Sequence, residues 1–267
     1  MKTNLCYGLG IALLFLLSNC PQPVYAIDET SETDIRSLTL GGVRSLSQEL
    51  LNPATISLRE NGEVGIFTIN RFGMKELNTN GMYGIFPNKW LDAGCKFSTY
   101  GYEDYRLIRG EISLAKKITP GISIGVQFGC LHENSFLKEQ NELYFIADPG
   151  IYWKIHPKFE MAFITENLFH TSDFVKPSFY AGVTYKPIRE FQIFIENGVD
   201  LHNQFHLSAG IQYEILSKLT FRCGFRSDSP NPAIGASWKS GRWRIDAAFL
   251  LHNSLDMSSG IGLNYLF

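Results

Sequence analysis

Nucleophilic and acid–base chemistry needs a base within hydrogen-bond reach of its nucleophile and an orienting acid behind it. The chain of 267 residues holds six histidines, His132, His156, His170, His202, His206 and His252. All but His206 fall in turns, loops or strand ends of the alternation described below. His206 lies inside a strand on its polar face, where a structural bond to a neighbour such as Glu214 or Arg222 is expected rather than catalysis. Cys6 and Cys20 fall in an N-terminal apolar leader, while Cys95, Cys130 and Cys223 sit on the apolar parity of alternating stretches. An odd set placed in this way reads as small hydrophobes, not as a disulfide framework. No His/Cys or carboxylate spacing has the form of a metal site. The expectation is a protein without enzyme activity and without a cofactor.

The chemistry left is charge, carried by Lys96, Arg109, Glu111, Glu196, Arg222, Arg226, Arg244 and Asp246. The spacing around these residues says what positions them. In "QFHLSAGIQYEILSKLTFRCGFRSD" (204–228), Phe205, Leu207, Ala209, Ile211 and Tyr213 alternate with His206, Ser208, Gly210, Gln212 and Glu214. Beyond Leu216-Ser217-Lys218, Leu219, Phe221, Cys223 and Phe225 alternate with Thr220, Arg222, Gly224 and Arg226. Successive strand residues point to opposite faces, so this is an antiparallel hairpin with one apolar and one charged face. "GISIGVQFGC", "RLIRGEISLA" and "RWRIDAAFLL" repeat the pattern, with apolar runs long enough for a tilted strand to cross a hydrocarbon layer.

Short turns ("FPNKW", "KITPGI", "KIHPKF", "KPIREF", "EILSKL", "KSGRW") alternate with longer polar connections from about residue 62 to the end. Counting them predicts about fourteen strands in an all-β, antiparallel transmembrane β-barrel over residues 62–267. Asp148-Pro149-Gly150 should break or bulge its strand, and the first strands, Gly62–Phe86, alternate weakly. Twelve or sixteen strands therefore stay open. The composition, 45% apolar with net charge −2, gives no reason to invoke nucleic acid.

Alternation alone does not separate a lipid-facing barrel from a secreted sandwich. Residues 1–26 read as an export signal, with Lys2, the apolar run Gly8–Leu17 and "VYA" before the mature chain. Lipidation of Cys20 is the rival, against which Asn19 counts. A barrel of about fourteen strands is too wide for side chains alone to fill, so charges of both signs suit a wet or plugged interior. They are read first as holding the wall or a plug together, and second as shaping ion selectivity. Trp153, Trp238 and Trp243 lie beside short turns, as interface aromatics would, whereas Trp90 falls on the inward parity. The chain ends "SSGIGLNYLF", with Ile261, Leu263, Tyr265 and the terminal Phe267 on one face, which resembles the signal by which barrel-assembly machinery recognises outer-membrane barrels.

Residues 27–61 do not alternate. An acidic tail precedes Gly41-Gly42, a flexible bend. Ser45 and Gln48 predict a capping box for a short helix carrying Leu46 and Leu50, ended by Pro53. The glycine pair, this segment and Asn52-Pro53-Ala54, followed at once by strands, resemble the N-terminus of FadL-type outer-membrane transporters. They resemble the related PorV/PorQ barrels of Bacteroidota type IX secretion more closely. The resemblance implies a plug folded into the barrel, built on Gly41, Gly42, Asn52, Pro53 and Ala54. An even number of strands with short turns at one end puts both termini on the periplasmic side. A plug with a polar lumen points to a passive, plug-gated conduit, with hydrophobic small molecules as the expected cargo. The alternative is a non-transporting barrel that docks a secretion or periplasmic partner. Outer-membrane lipid and the assembly machinery are the other expected partners. The loops are shorter than the resemblance leads one to expect, which leaves little extracellular structure for a substrate groove.

Overall fold

The computed structural model describes residues 34–47, 50–135, 142–169, 177–200, 205–227, 232–252 and 256–267. The acidic tail 27–33, Gln48, His170 and His202 lie outside them. A short helix, α1 (Ile35–Thr39), and a 3-10 helix (Pro53–Leu58) precede the strands. The first seven strands are β1 (Glu63–Asn70), β2 (Asn78–Phe86), β3 (Asp92–Gly101), β4 (Tyr105–Thr119), β5 (Ile122–Ser135), β6 (Glu142–His156) and β7 (Phe159–Glu166). The others are β8 (Ser178–Ile188), β9 (Phe191–Asp200), β10 (Phe205–Leu216), β11 (Leu219–Arg226), β12 (Ala233–Ser240), β13 (Trp243–Leu250) and β14 (Ser258–Leu266).

Each strand pairs antiparallel with its sequence neighbours, and β1 pairs with β14 from Glu63↔Leu266 to Asn70↔Ser259, closing a barrel of fourteen strands. Closure gives every strand a partner on both sides, so none of the described strands is an edge strand, although the part of β6 before Gly150 has a ladder on one side only. The β10–β11 hairpin sets Gln212 opposite Arg222 and Gly210 opposite Gly224. The expected parity is therefore realised, with Ser208, Gly210 and Arg222 on the inner face and Phe205, Leu207, Ile211 and Phe221 outside. Outward apolar side chains are exposed along the wall, Ile112 at 61% and Phe145 at 62% among them.

The predicted break at Asp148-Pro149-Gly150 does not occur. The strand runs unbroken against β5, with Gln127 opposite Asp148 and Val126 opposite Pro149. Pairing with β7 starts only at Gly150, so the proline falls where one flank of the strand has no ladder to interrupt. The weak alternation of β1 and β2 also has a structural cause. Phe67, Ile69, Tyr83 and Ile85 are buried on the inner face while Ile66 and Met82 are exposed outside, so both faces are apolar there.

What the inner apolar residues touch is the N-terminal segment. Helix α1 packs on β11–β14, and the 3-10 helix packs on β3–β6, on separate arcs of the wall. Residues between them run through the interior against β7–β10. Ile35, Leu50 and Ile56 cluster with Phe67, Ile69, Tyr83 and Ile85, while Leu40, Val43, Leu46 and Ala54 cluster with Tyr152, Ala162 and Phe194. Two apolar clusters thus lie between segment and wall, and a third, Tyr100, Leu107, Leu131, Tyr144 and Ile146, is built by β3–β6 alone at the loop end.

Candidate functional site in the barrel interior

Three contact zones hold the segment. The first is α1 and its exit. Asp34 caps the helix by accepting from the Ser37 amide at 2.5 Å, and the Ser47 hydroxyl donates to its other oxygen at 2.5 Å. Burial pushes the Asp34 carboxyl above its ordinary range; Lys96, those two hydrogen bonds and Arg36 pull the other way. The helix ends when the Gly42 amide donates to the Ser37 carbonyl at 2.9 Å, a Schellman closure that needs the left-handed backbone at Gly41 (φ 73°). The bend expected at Gly41-Gly42 is therefore pinned rather than flexible. Leu40 and Gly41 rest on the cross-strand pair Gly210↔Gly224, where a Cβ at Gly210 would stand 2.8 Å from the Leu40 carbonyl oxygen. A Cβ at Gly224 would collide with backbone atoms of Leu40 and Gly41.

The second zone is ionic. The buried Glu196 carboxylate, 1% exposed, accepts from the Arg44 amide at 2.9 Å, the Ser45 amide at 2.6 Å and the Ser45 hydroxyl at 2.5 Å. The Arg44 guanidinium bonds Glu166 at 2.5 Å and lies 5.1 Å from the centre of the Tyr180 ring. The helix predicted to start at Ser45 is replaced by a turn at Ser45–Leu46, and Leu50 has φ 69°. The Ser45 hydroxyl donates to the wall, and the capping box expected with Gln48 lies outside the described residues.

The third zone is Asn52-Pro53-Ala54. Pro53 does not end a helix; it opens the 3-10 helix at a position that has no use for an amide proton. Asn52 caps it through Ala54 N at 3.0 Å, and its amide donates to the Ser45 carbonyl at 2.6 Å, tying the third zone to the second. A second paired-glycine seat lies beneath, Gly125↔Gly150. A Cβ at Gly125 would stand 2.6 Å from backbone atoms of Pro53 and Ala54, and Ser123 donates to the Ala54 carbonyl at 2.8 Å.

The charges singled out by sequence all point inward, but into separate groups. Arg109 bonds Glu111 at 2.6 Å and reaches Asp148 at 3.9 Å. Lys96 is 4% exposed and lies 5.7 Å from the Phe67 ring centre. Arg244 bonds Asp246 at 2.7 Å and Glu63 at 3.0 Å, and Arg222 reaches Asp246 at 3.7 Å, with Ser237 and Asn264 completing the group. Arg226 lies against Gly42. His206 pairs in register with Gly198. Glu214 and the Gln212–Arg222 pair stand at the other end of the hairpin, about 20 Å or more along a strand rising ~3.3 Å per residue. The neighbours expected for His206 are out of its reach.

Trp153, Trp238 and Trp243 are exposed on outward faces at the short-turn ends of β6, β12 and β13. Trp90 belongs to neither parity; it stands in the β2–β3 turn, 81% exposed. Ile261 and Leu263 are exposed outside, and Tyr265 joins Trp243 (4.9 Å between ring centres) to Phe267. Cys95, Cys130 and Cys223 are free and exposed on the outer face. Sequence reasoning missed Asp34, Arg44, Glu166 and both glycine seats. A signal for the seats was present: glycines on the inward parity of adjacent predicted strands, which pair once the hairpin register is drawn.

No family model matches the chain, and no curated protein matches it. Solved structures do. Closed, antiparallel and fourteen-stranded, the barrel has the fold of the FadL-type channels. The deltaS2S3 mutant of the monoaromatic hydrocarbon channel TodX aligns with TM-score 0.65 and 10% identity over 88% of this chain and 97% of its own. The monoaromatic hydrocarbon channel CymD aligns at 0.63 and 13% identity, covering 86% and 96%. A Pseudomonas aeruginosa FadL homologue aligns at 0.60 and 9% identity, covering 88% and 98%.

Proposed function

We propose that this protein is an outer-membrane barrel that conducts small hydrophobic molecules passively, with residues 34–58 as its plug. The observation that carries this reading is a segment docked across the interior between separate arcs of the wall. The exposed apolar outer face supports a lipid setting, because a soluble monomer rarely exposes contiguous apolar surface of more than a few hundred Å². The fold likeness to channels named for monoaromatic hydrocarbons suggests the substrate class. In this reading residues 1–26 direct export, both ends of the mature chain face the periplasm, and no catalysis is involved.

Passage requires the segment to move, and its clasp on Glu166 and Glu196 is the polar part of what must yield. Planar-bilayer recording of the barrel with and without residues 27–54 tests the reading. The intact protein should pass little ion current, and the deletion should open a steady conductance. Vesicles holding the intact protein should take up a monoaromatic hydrocarbon faster than protein-free vesicles. The backbone-to-backbone glycine seats favour a second reading, a permanently filled barrel that docks a secretion or periplasmic partner. Silence from both forms together with no uptake would select it.

A further inference from the structure

At the short-turn end a polar pocket of about 370 Å³ opens between the end of the 3-10 helix, the β2–β3 turn, the start of β3 and the end of β4. Arg59, Lys89, Lys116 and Lys117 line it against Glu60 and Asp92, an excess of positive charge on a chain whose net charge is −2. Its framework is fixed. The Asp92 carboxylate accepts from the Asn88 amide at 2.9 Å, the Asn88 side chain accepts from the Trp90 amide at 3.1 Å, and Arg59 bonds Glu63 at 3.0 Å. With Arg59 paired to Glu63, the three lysines Lys89, Lys116 and Lys117 still outnumber the carboxylates Glu60 and Asp92 in the pocket. Lys116 and Lys117 both reach it although neighbours on a regular strand face opposite ways; a register shift between Lys117 and Thr119 lies beside them. Around this basic pocket stand exposed apolar side chains, Trp90, Leu91 and Ile118.

We propose that this pocket binds a phosphate group, supplied by an anionic phospholipid whose acyl chains lie along the neighbouring apolar wall. Cationic side chains recognise the phosphate, and Trp90 with Leu91 and Ile118 marks the boundary between headgroup and hydrocarbon. The choice of a lipid rests on the reading that the outer face meets a membrane; the phosphate chemistry does not. Because Ser57 and Arg59 belong to the chain leaving the interior, the bound headgroup would also tether the exit of the segment.

The test is native mass spectrometry of the barrel purified from membranes and exposed to equal phosphatidylglycerol and phosphatidylcholine. Retained phosphatidylglycerol should exceed phosphatidylcholine by about fivefold. The Lys89→Gln/Lys116→Gln/Lys117→Gln variant, its folding checked by gel mobility before and after heating, should retain both equally. If the triple variant does not fold, single Lys117→Gln should reduce the preference. Equal retention by the unaltered protein, or a preference unmoved by the substitutions, overturns the proposal. Inorganic phosphate titrated calorimetrically separates the sources: lysine-dependent binding without lipid preference would keep the anion chemistry and reject the lipid. Retention of neither lipid would instead count against the membrane reading itself.

Discussion

The segment inside the barrel is held in two unlike ways. At Leu40–Gly41 backbone lies on the paired glycines Gly210↔Gly224, and at Pro53–Ala54 it lies on Gly125, whose pair Gly150 is covered by the Asn52 and Pro53 side chains. Between them, Arg44 and Ser45 are held by the carboxylates of Glu166 and Glu196. The seats work by shape: contact at this distance depends on the absence of a side chain and has no titratable part. The clasp works by charge and hydrogen bonds in a poorly hydrated interior, where removing one partner strands the others. The difference teaches that the two can be perturbed separately. Filling a seat should displace the segment outright, whereas weakening the clasp should loosen its middle while both ends stay seated.

The largest expected effect comes from a seat. Gly224→Val places a branched side chain where the backbone of Leu40 and Gly41 now lies, and overpacking of this kind costs about 1–3 kcal/mol, more when backbone must move. The seat sits on an otherwise regular hairpin, so the barrel should fold while residues 34–42 undock. Protease cleavage near Gly41-Gly42, slow in the unaltered protein, should become fast. Gly125→Val should do the same at Pro53–Ala54. Unchanged protection in both variants would mean that the seats do not hold the segment.

Next is the clasp. Glu196→Ala removes the acceptor of the Arg44 and Ser45 amides and the Ser45 hydroxyl, at about 1–3 kcal/mol for the buried donors left behind. Melting should shift down, and exchange of the Arg44 and Ser45 amides should accelerate, with that of Ala54 little changed. Asn52→Ala should cost less, about 1 kcal/mol, because it loses one cap, one bond to the Ser45 carbonyl and a long one to the Phe163 carbonyl, with no charged group involved. It should, however, loosen both regions, since Asn52 links them. A double-mutant cycle between Glu196 and Asn52 measures that link; strict additivity would show that seat and clasp are independent.

This division also explains what could be read from sequence. A wall strand obeys a local rule, with faces of opposite polarity, so the hairpin at 204–228 and its turn follow from parity alone. The rule weakens at β1 and β2 for a physical reason: their inner faces carry Phe67, Ile69, Tyr83 and Ile85 to meet the segment, so neither face is polar. The inward direction of Arg109, Glu111, Glu196, Arg222 and Asp246 was legible in the same way. Their partners were not, because ion pairs such as Arg44–Glu166 join residues far apart in the chain, and the pairing depends on where the segment crosses. Within the segment, local rules misplaced the helix. Ser45 reads as a helix start although Ser45–Leu46 form a turn held by a wall carboxylate, and Pro53 reads as a stop although it serves equally well as a start.

The smallest effect expected is a pH response outside both regions, and it checks that the seats have no titratable part. His252 lies at the loop end of β13, its ring 4.6 Å from that of Phe72 and its Nε2 2.9 Å from the Ser258 hydroxyl. Burial holds its pKa below the ordinary histidine value, so the folded state binds the proton less readily than the unfolded chain does. The contribution is therefore fully present above the ordinary value of about 6.5 and is lost as pH falls through the depressed one. The same hydroxyl accepts from the Phe72 amide at 3.1 Å, so acid should release the turn around Phe72 first. Melting measured on the acid side should fall slightly more in the unaltered protein than in His252→Gln, which cannot titrate there. Protease protection at Pro53–Ala54, which rests on Gly125 away from the Asp34 carboxyl, should stay constant over the same pH range. If it fell together with the His252 transition, shape alone would not be what keeps Pro53 and Ala54 on the wall.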